Sequence, residues 1–427
     1  MRDRVAMTSR VAAIGRIFSS LRVRNYRLYF LGQVVSLSGT WMQGVAQAWL
    51  VLDLTGSGTA LGLVSSLQFL PVLLFGPLGG VISDRFDKRR VLYGTQTAAA
   101  LLAATLGFLV VSDLVQVWMV YALAAGLGFV YVVDNPTRQT FILEMVGPDE
   151  LTNAVSLNSV LVNVARVIGP GLAGTLIVTV GLAPCFFINA GSYAAVLAAL
   201  YLMDPARLQS AERQARRRGQ LREGLRYVRS TPDVLVPLVM MAVVGTLAYE
   251  FQVVLPLLAR FTFDGDAGTY GTMSVLMGFG AVAGGLATAA AGRQPATALS
   301  RSAIVFGSIQ LATSFAPTLL VTFGALLLLG AASIRFLALG NSTLQLAAAP
   351  AMRGRVMALW AVAFLGSTPV GGPLMGWVGE HVGPRIALGL GGVATLLCGI
   401  LAYPALVRVA LRADGAGPPL PQPKPPS

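Results

Sequence analysis

Lysine is nearly missing from this chain, with Lys88 and Lys424 its only two, and acidic residues number just 18 in 427. Charged residues of all kinds reach 11%, which is too little polar surface for a water-soluble fold of this length. Neither lysine follows a glycine-rich loop, so a phosphate-cradling P-loop is excluded, and with it direct use of ATP. Cysteine occurs twice, at Cys185 and Cys398, both within apolar stretches, which leaves neither a disulfide framework nor a metal-ligand spacing. The one histidine, His381, has no nucleophile at usable spacing. No catalytic residue, metal or cofactor is therefore expected, and the reading is against an enzyme.

What fills the chain instead is long apolar runs, with 55% hydrophobic residues and a mean hydropathy of +0.71. Twelve stretches approach spanning length, at 26–52, 59–83, 91–111, 114–140, 154–180, 185–202, 234–259, 268–291, 302–315, 319–348, 356–378 and 386–407. The ninth falls short of the roughly 20 residues a spanning helix needs. The expected fold is an all-α membrane protein. Its parts are a basic tail (1–25), a six-helix bundle (26–202), a polar linker (203–233), a second six-helix bundle (234–407) and a Pro-rich tail (408–427). Arginine gathers in the tails, the linker and alternate loops, which places both termini in the cytoplasm. The formal charge of +13 is then a topology signal, and no nucleic acid is expected as a partner. Val11, Ile14, Phe18 and Leu21 have helical spacing suited to an amphipathic segment on the inner leaflet, and Leu221, Leu225 and Val228 predict a second surface helix in the linker.

Between the second and third stretches, six of the seven residues from Asp84 to Arg90 are charged, which no hydrocarbon core accepts. Charge alone reads this loop as a topology signal. Its spacing, Gly80, Asp84, Arg85, Lys88, Arg89, resembles the loop signature of the major facilitator superfamily, with Asp87 where that pattern usually has glycine. Asn25-Tyr26-Arg27-Leu28, Ser36, Gly39, Trp49-Leu50-Val51, Asp53-Leu54-Thr55-Gly56-Ser57 and Glu223-Gly224-Leu225-Arg226-Tyr227-Val228 are similar to the bacterial macrolide-efflux and enterobactin-exporter branch. Gly169-Pro170-Gly171-Leu172-Ala173-Gly174 resembles the motif of its antiporters. The resemblance implies two pseudo-symmetric bundles, a central cavity lined by helices one, four, seven and ten, and gating roles for the Gly80 to Arg89 residues, Arg138, Arg166, Gly169, Pro170 and Gly174. An arginine that drug exporters place early in the fourth helix is Ala122 here, so a proton relay through it does not carry over. The halves repeat weakly, with Gly169-Pro170 falling on Gly372-Pro373 at an offset of 203, and Gly292-Arg293 all that remains of the charged loop.

Polar residues inside the apolar runs are the candidate site. Gln33, Ser36, Thr40, Gln43 and Gln47 fall on one helical stripe, compatible with a wet cavity or with interhelical hydrogen bonding. Tyr131, Asp134, Asn135 and Arg138 lie in the fourth stretch, where Asp134 and Arg138 are spaced to pair. Arg166 needs a polar partner that the sequence does not identify. Glu250 lies about 16 residues, or roughly 24 Å, into the seventh helix, and Arg335 sits about 20 Å deep in the tenth, near enough to pair if those helices face each other. Glu250 is the first proton-coupling candidate. Asp134 is the second, placed lower because its position near the cytoplasmic end predicts better hydration. The resemblance implies a monomeric, multi-pass protein of a bacterial inner membrane that exports a small amphipathic compound, drug or siderophore-like, by proton antiport and alternating access. An importer or uniporter of the same fold, and a sensor that does not transport, remain the alternatives.

Overall fold

Side-chain caps set where several helices begin. Ser57 accepts from the Ala60 N–H at 3.1 Å and Asp87 from the Arg90 N–H at 2.8 Å, opening the second and third helices. The computed structural model describes residues 18–209, 220–292 and 294–413. Among them every regular element is helical. The α-helices are α1 (Arg24–Thr55), α2 (Gly58–Arg85), α3 (Lys88–Val111), α4 (Val117–Val180), α5 (Ala183–Leu202), α6 (Gln220–Ser230) and α7 (Pro232–Ala248), followed by α8 (Phe251–Phe263), α9 (Ala267–Ala290), α10 (Thr297–Ser314), α11 (Leu319–Ala347), α12 (Arg353–Leu365), α13 (Thr368–His381) and α14 (Pro384–Ala413). Expectations for Val11, Ile14, Arg293, residues 210–219 and the tail beyond 413 lie outside the described residues. Nine helical stretches among those described are long and apolar enough to cross a membrane, counting α7 with α8 and α12 with α13.

Four predicted spans differ from expectation. The fourth and fifth join into α4, and the gap between them contracts to Gly147, whose φ of 75° suits a residue without Cβ. Pro148 starts the next arm with its φ already fixed for a helix. The stretches 234–259 and 356–378, expected to be continuous, are broken, at Tyr249–Glu250 between α7 and α8 and at Gly366–Ser367 between α12 and α13. Pro369 lies in the first turn of α13, where its missing N–H costs nothing.

In the first half α1 packs on α4 and α5, α2 on α4, and α3 on α5. In the second half α9 packs on α11, while α14 packs on α7 and α10. The halves meet at two crossings, α2 with α13 and α4 with α9. Each is a close backbone approach. A Cβ on Gly62 would lie 2.2 Å from the Gly372 carbonyl oxygen, and one on Gly271 would lie 2.8 Å from the Pro170 carbonyl oxygen. The segments at Gly169-Pro170 and Gly372-Pro373, matched by the internal repeat, thus hold equivalent crossings. Large apolar side chains such as Leu101, Phe108 and Leu328 point outward, as a bilayer-embedded fold requires.

Both crossings lie toward the face where α1 turns into α2. There Asp53 pairs with Arg260, and the Glu380 carboxylate accepts from Ser57 Oγ at 2.6 Å, Thr59 N at 2.9 Å and Thr59 Oγ1 at 2.7 Å. A carboxylate of α13 thereby sits on the positive end of α2. Glu380→Ala is expected to weaken closure of this face by about 1–2 kcal/mol. The check is maleimide labelling of a cysteine introduced at Ala60, which is buried here. Faster labelling is expected, and an unchanged rate would deny Glu380 a part in closure.

Three residues of the charged loop are tied into its own half. Lys88 pairs with Glu144, Arg89 donates to the Leu200 carbonyl at 2.8 Å and the Tyr201 carbonyl at 3.2 Å, and Asp87 caps α3. Asp87 has φ −60°, which any residue adopts, so the glycine usual at this position is not needed. The expected linker helix is present as α6. It is docked on the second half, where Glu223 pairs with Arg355 at 2.6 Å and the Ala349 N–H donates to the Tyr227 hydroxyl at 3.0 Å.

Candidate substrate cavity

The two helix breaks meet. Glu250 immediately precedes α8, and its carboxylate lies over the first turn of α13, within reach of the Thr368 hydroxyl. A Cβ on Gly371 would fall 2.7 Å from Glu250 Oε1, so a bare backbone position admits the carboxylate. Glu250 is 5% exposed and its Oε1 has no hydrogen-bond partner. Beside it opens a cavity of about 340 Å³ whose wall comes from both halves, with Trp41, Arg166 and Pro170 on one side and Tyr249, Glu250 and Tyr270 on the other.

Arg166 provides the opposing charge. Its guanidinium stacks 5.0 Å from the Trp41 ring centroid, and its Nε is buried without a hydrogen-bond partner. Arg166 thus meets an aromatic face where a polar partner was expected. Tyr249 donates to the Ser333 carbonyl and meets Phe364 edge-on at 5.0 Å, which fixes an aromatic wall at the α7–α8 break.

Other expected cavity residues lie elsewhere. The α1 residues on this cavity are Trp41, Gly44 and Val45. Successive residues turn by about 100°, which sets the Gln33, Ser36, Thr40, Gln43 and Gln47 stripe roughly a third of a turn away. That stripe packs inside the first half. Gln33 accepts from Arg138 Nη1 at 2.9 Å, Gln43 accepts from Asn189 Nδ2 at 2.6 Å, and Thr40 meets the Tyr193 hydroxyl at 3.5 Å. Arg335 forms no ion pair with Glu250, because α11 turns Ser333, Ile334 and Leu337 to the cavity and Arg335 away from it. Helical phase decides against the pairing of those two charges. Tyr131 and Asn135 do not line this cavity.

Asp134 is also not where hydration would put it. It is 1% exposed, pairs with Arg138 at 2.6 Å, and accepts from Thr95 Oγ1 at 2.7 Å and Gln96 Nε2 at 2.8 Å. The predicted spacing pair is present, and its surroundings are structural. Asp134→Ala would leave Arg138 without its counter-charge and is expected to lower stability by about 3 kcal/mol. Thermal unfolding in detergent reads this, with Asp134→Asn expected to cost less.

Trp41, Tyr249, Gln252, Tyr270 and Thr368 were missed by the sequence reading. One signal was present: Gly366-Ser367-Thr368-Pro369 is a stop followed by a start, with proline just inside the new helix.

The arrangement is that of a carrier, with a two-sided cavity at helix breaks. The family described as transmembrane secretion effector (MFS_3) matches residues 16–423. The chain belongs to that family. It is a member of the major facilitator superfamily, and the relatives it matches are transporters rather than enzymes. The MFS-type transporter YfiS of Bacillus subtilis is 28% identical over 217 residues, half of this chain, and the match spans 51% of that relative's length. The multidrug efflux pump Tap of Mycolicibacterium fortuitum is 27% identical over 86% of this chain and 91% of its own. The enterobactin exporter EntS of Shigella boydii is 24% identical over 92% of this chain and 94% of its own. Among solved structures, the nucleoside transporter NupG superposes with a TM-score of 0.73 at 15% identity, covering 91% of this chain and 99% of that one, which shows a shared fold. The family of this chain and the nine long apolar helical stretches among its described residues make it a multi-pass membrane protein.

Proposed function

We propose that this transporter exports a small amphipathic compound, drug-like or siderophore-like, in exchange for protons by alternating access. The observation that carries the reading is Glu250, a buried carboxylate with an oxygen left unpartnered on a cavity shared by both halves. A proton on this group changes the charge at the point where two broken helices touch, so it can bias which face is open. The names of the efflux pump and siderophore exporter that match most of the chain support the direction and substrate class.

The same reading counts twelve spans, with α1 and α10 joining the nine apolar stretches and α4 crossing twice about Gly147. It places 26–202 and 234–407 as the two bundles, both termini in the cytoplasm, and a monomer in the inner membrane. Arginine enrichment at the terminal face supports that orientation. The face closed by Glu380 and the two glycine crossings is then the outer one, and the state described is inward-facing. Gly169, Pro170 and Gly174, with the Gly80 to Arg89 loop and Arg138, belong to the moving or bracing parts.

Reconstitution into liposomes with an imposed pH gradient tests the proposal. Internal pH is followed while a panel of drugs and siderophores is added. A transported compound is expected to move protons the opposite way, saturably. Movement that ignores the gradient would replace the antiporter by a uniporter, and movement along with protons would replace it by a symporter.

A further inference from the structure

The cavity holds one cation and one anion, each incompletely partnered. Arg166 and Glu250 are the charged residues in its wall, and Tyr249 and Tyr270 the other ionisable ones. Arg166 Nε and Glu250 Oε1 are both buried without a hydrogen-bond partner. Charged groups taken out of water need compensation, and a cavity that keeps two of opposite sign is completed by a ligand carrying the complementary pair.

From these groups we infer that the substrate is a compact amphipathic zwitterion, with an anionic group seated on Arg166, an ammonium on Glu250, and an aromatic body against Trp41, Tyr249 and Phe364. A guanidinium stacked on an indole still offers its in-plane N–H fork to a planar oxyanion such as a carboxylate. Glu250, in the cavity wall, accepts from an ammonium through its carboxylate. The remaining wall is largely apolar and aromatic, including Phe251, Met277 and Leu337. A volume of about 340 Å³ is near the lower end of the roughly 300–1,000 Å³ typical of small-molecule sites, which favours a compact ligand.

The inference rests on the proton-exchange reading in one respect, the sign of coupling. An ammonium on Glu250 excludes the proton from the same carboxylate, so substrate and proton compete and travel in opposite directions. A purely anionic substrate would instead bind best beside a protonated Glu250, and the two would travel together.

The test is a matched set of four probes on one skeleton: phenylalanyl-phenylalanine, its N-acetyl form, its C-terminal amide and the doubly blocked N-acetyl amide. They supply both charges, the anion alone, the cation alone and neither. Binding to the purified full-length protein in detergent at fixed pH is measured by tryptophan fluorescence and checked by calorimetry. The zwitterion is expected to bind at least tenfold more tightly than either singly charged form, and the neutral form weakest. Arg166→Gln should erase the advantage of the free carboxylate and leave that of the ammonium, Glu250→Gln should do the reverse, and Arg166→Lys should retain part of the carboxylate advantage. Equal binding of the zwitterion and the cationic amide would overturn the role of Arg166, and failure of all four probes to bind would overturn the substrate class. No gradient enters this measurement, so its failure is separate from failure of proton exchange, which only the liposome assay reads.

Discussion

Glu250→Gln protein is expected to lose gradient-driven export by at least about tenfold, equivalent to 1.4 kcal/mol or more, while still exchanging substrate down its gradient. The amide copies the shape of the carboxylate and keeps an oxygen that can accept from Thr368, so the junction of α8 and α13 should persist. What it cannot do is gain and lose a proton. Coupling requires that the same group bind a proton in one arrangement of the cavity and release it in the other, and a group of fixed charge offers no such difference. Exchange, which needs only binding and rocking, survives with weaker binding. Accumulation by the variant at the full rate would move coupling to another carboxylate. Asp134→Asn is then the next variant to assay, although its pair with Arg138 and its two further donors argue for a structural place.

An effect of similar size is expected from Gly62→Leu. Even the Cβ of a new side chain would lie 2.2 Å from the Gly372 carbonyl oxygen and 2.4 Å from its carbon, and backbone atoms in two helices cannot turn aside as a flexible side chain does. Overpacking of this kind costs about 1–3 kcal/mol. The molecule can avoid the cost by holding α2 and α13 apart, and a penalty of about 3 kcal/mol on one of two states shifts their ratio by roughly 150-fold. The variant should fold, fail to transport, and expose a cysteine at Ala60 to maleimide. Gly79→Ala is the contrast. Its Cβ would lie 1.7 Å from the Val132 carbonyl oxygen, where α2 crosses α4 within one half, and no rocking of the halves relieves that clash. Lower yield and lower thermal stability are expected there. Normal transport by Gly62→Leu would mean that the α2–α13 crossing does not open.

The contrast between these glycines shows what a sequence conveys. Span positions were legible because hydropathy is local. The Asp134–Arg138 pair was legible because one turn of helix brings the two together whatever surrounds them. The Gln stripe was legible as a stripe, but the direction it faces depends on how α1 is rotated against α4 and α5, and nothing within α1 records that rotation. Arg335 was misread for the same reason. The contact of Arg166 with Trp41 joins residues far apart in sequence, of types that no charge-pair pattern would match. The breaks in α7–α8 and α12–α13 carried only a weak local signal, since an apolar run reads as one span until a cap and a proline interrupt it.

Those breaks also have a mechanical meaning. By the repeat offset, α1 corresponds to α7 with α8, and the second arm of α4 to α12 with α13. The first-half members run unbroken through their whole length, from Arg24 to Thr55 and from Pro148 to Val180, whereas both second-half members are jointed beside the cavity. A helix without its hydrogen-bond ladder at one point bends there far more easily than elsewhere. Stiffness is therefore distributed unequally between two bundles of common ancestry. On the proposed reading the first half would act as a lever arm and the second would supply the elbows, with a substrate in the cavity lying beside them, where the load of binding is most directly turned into movement.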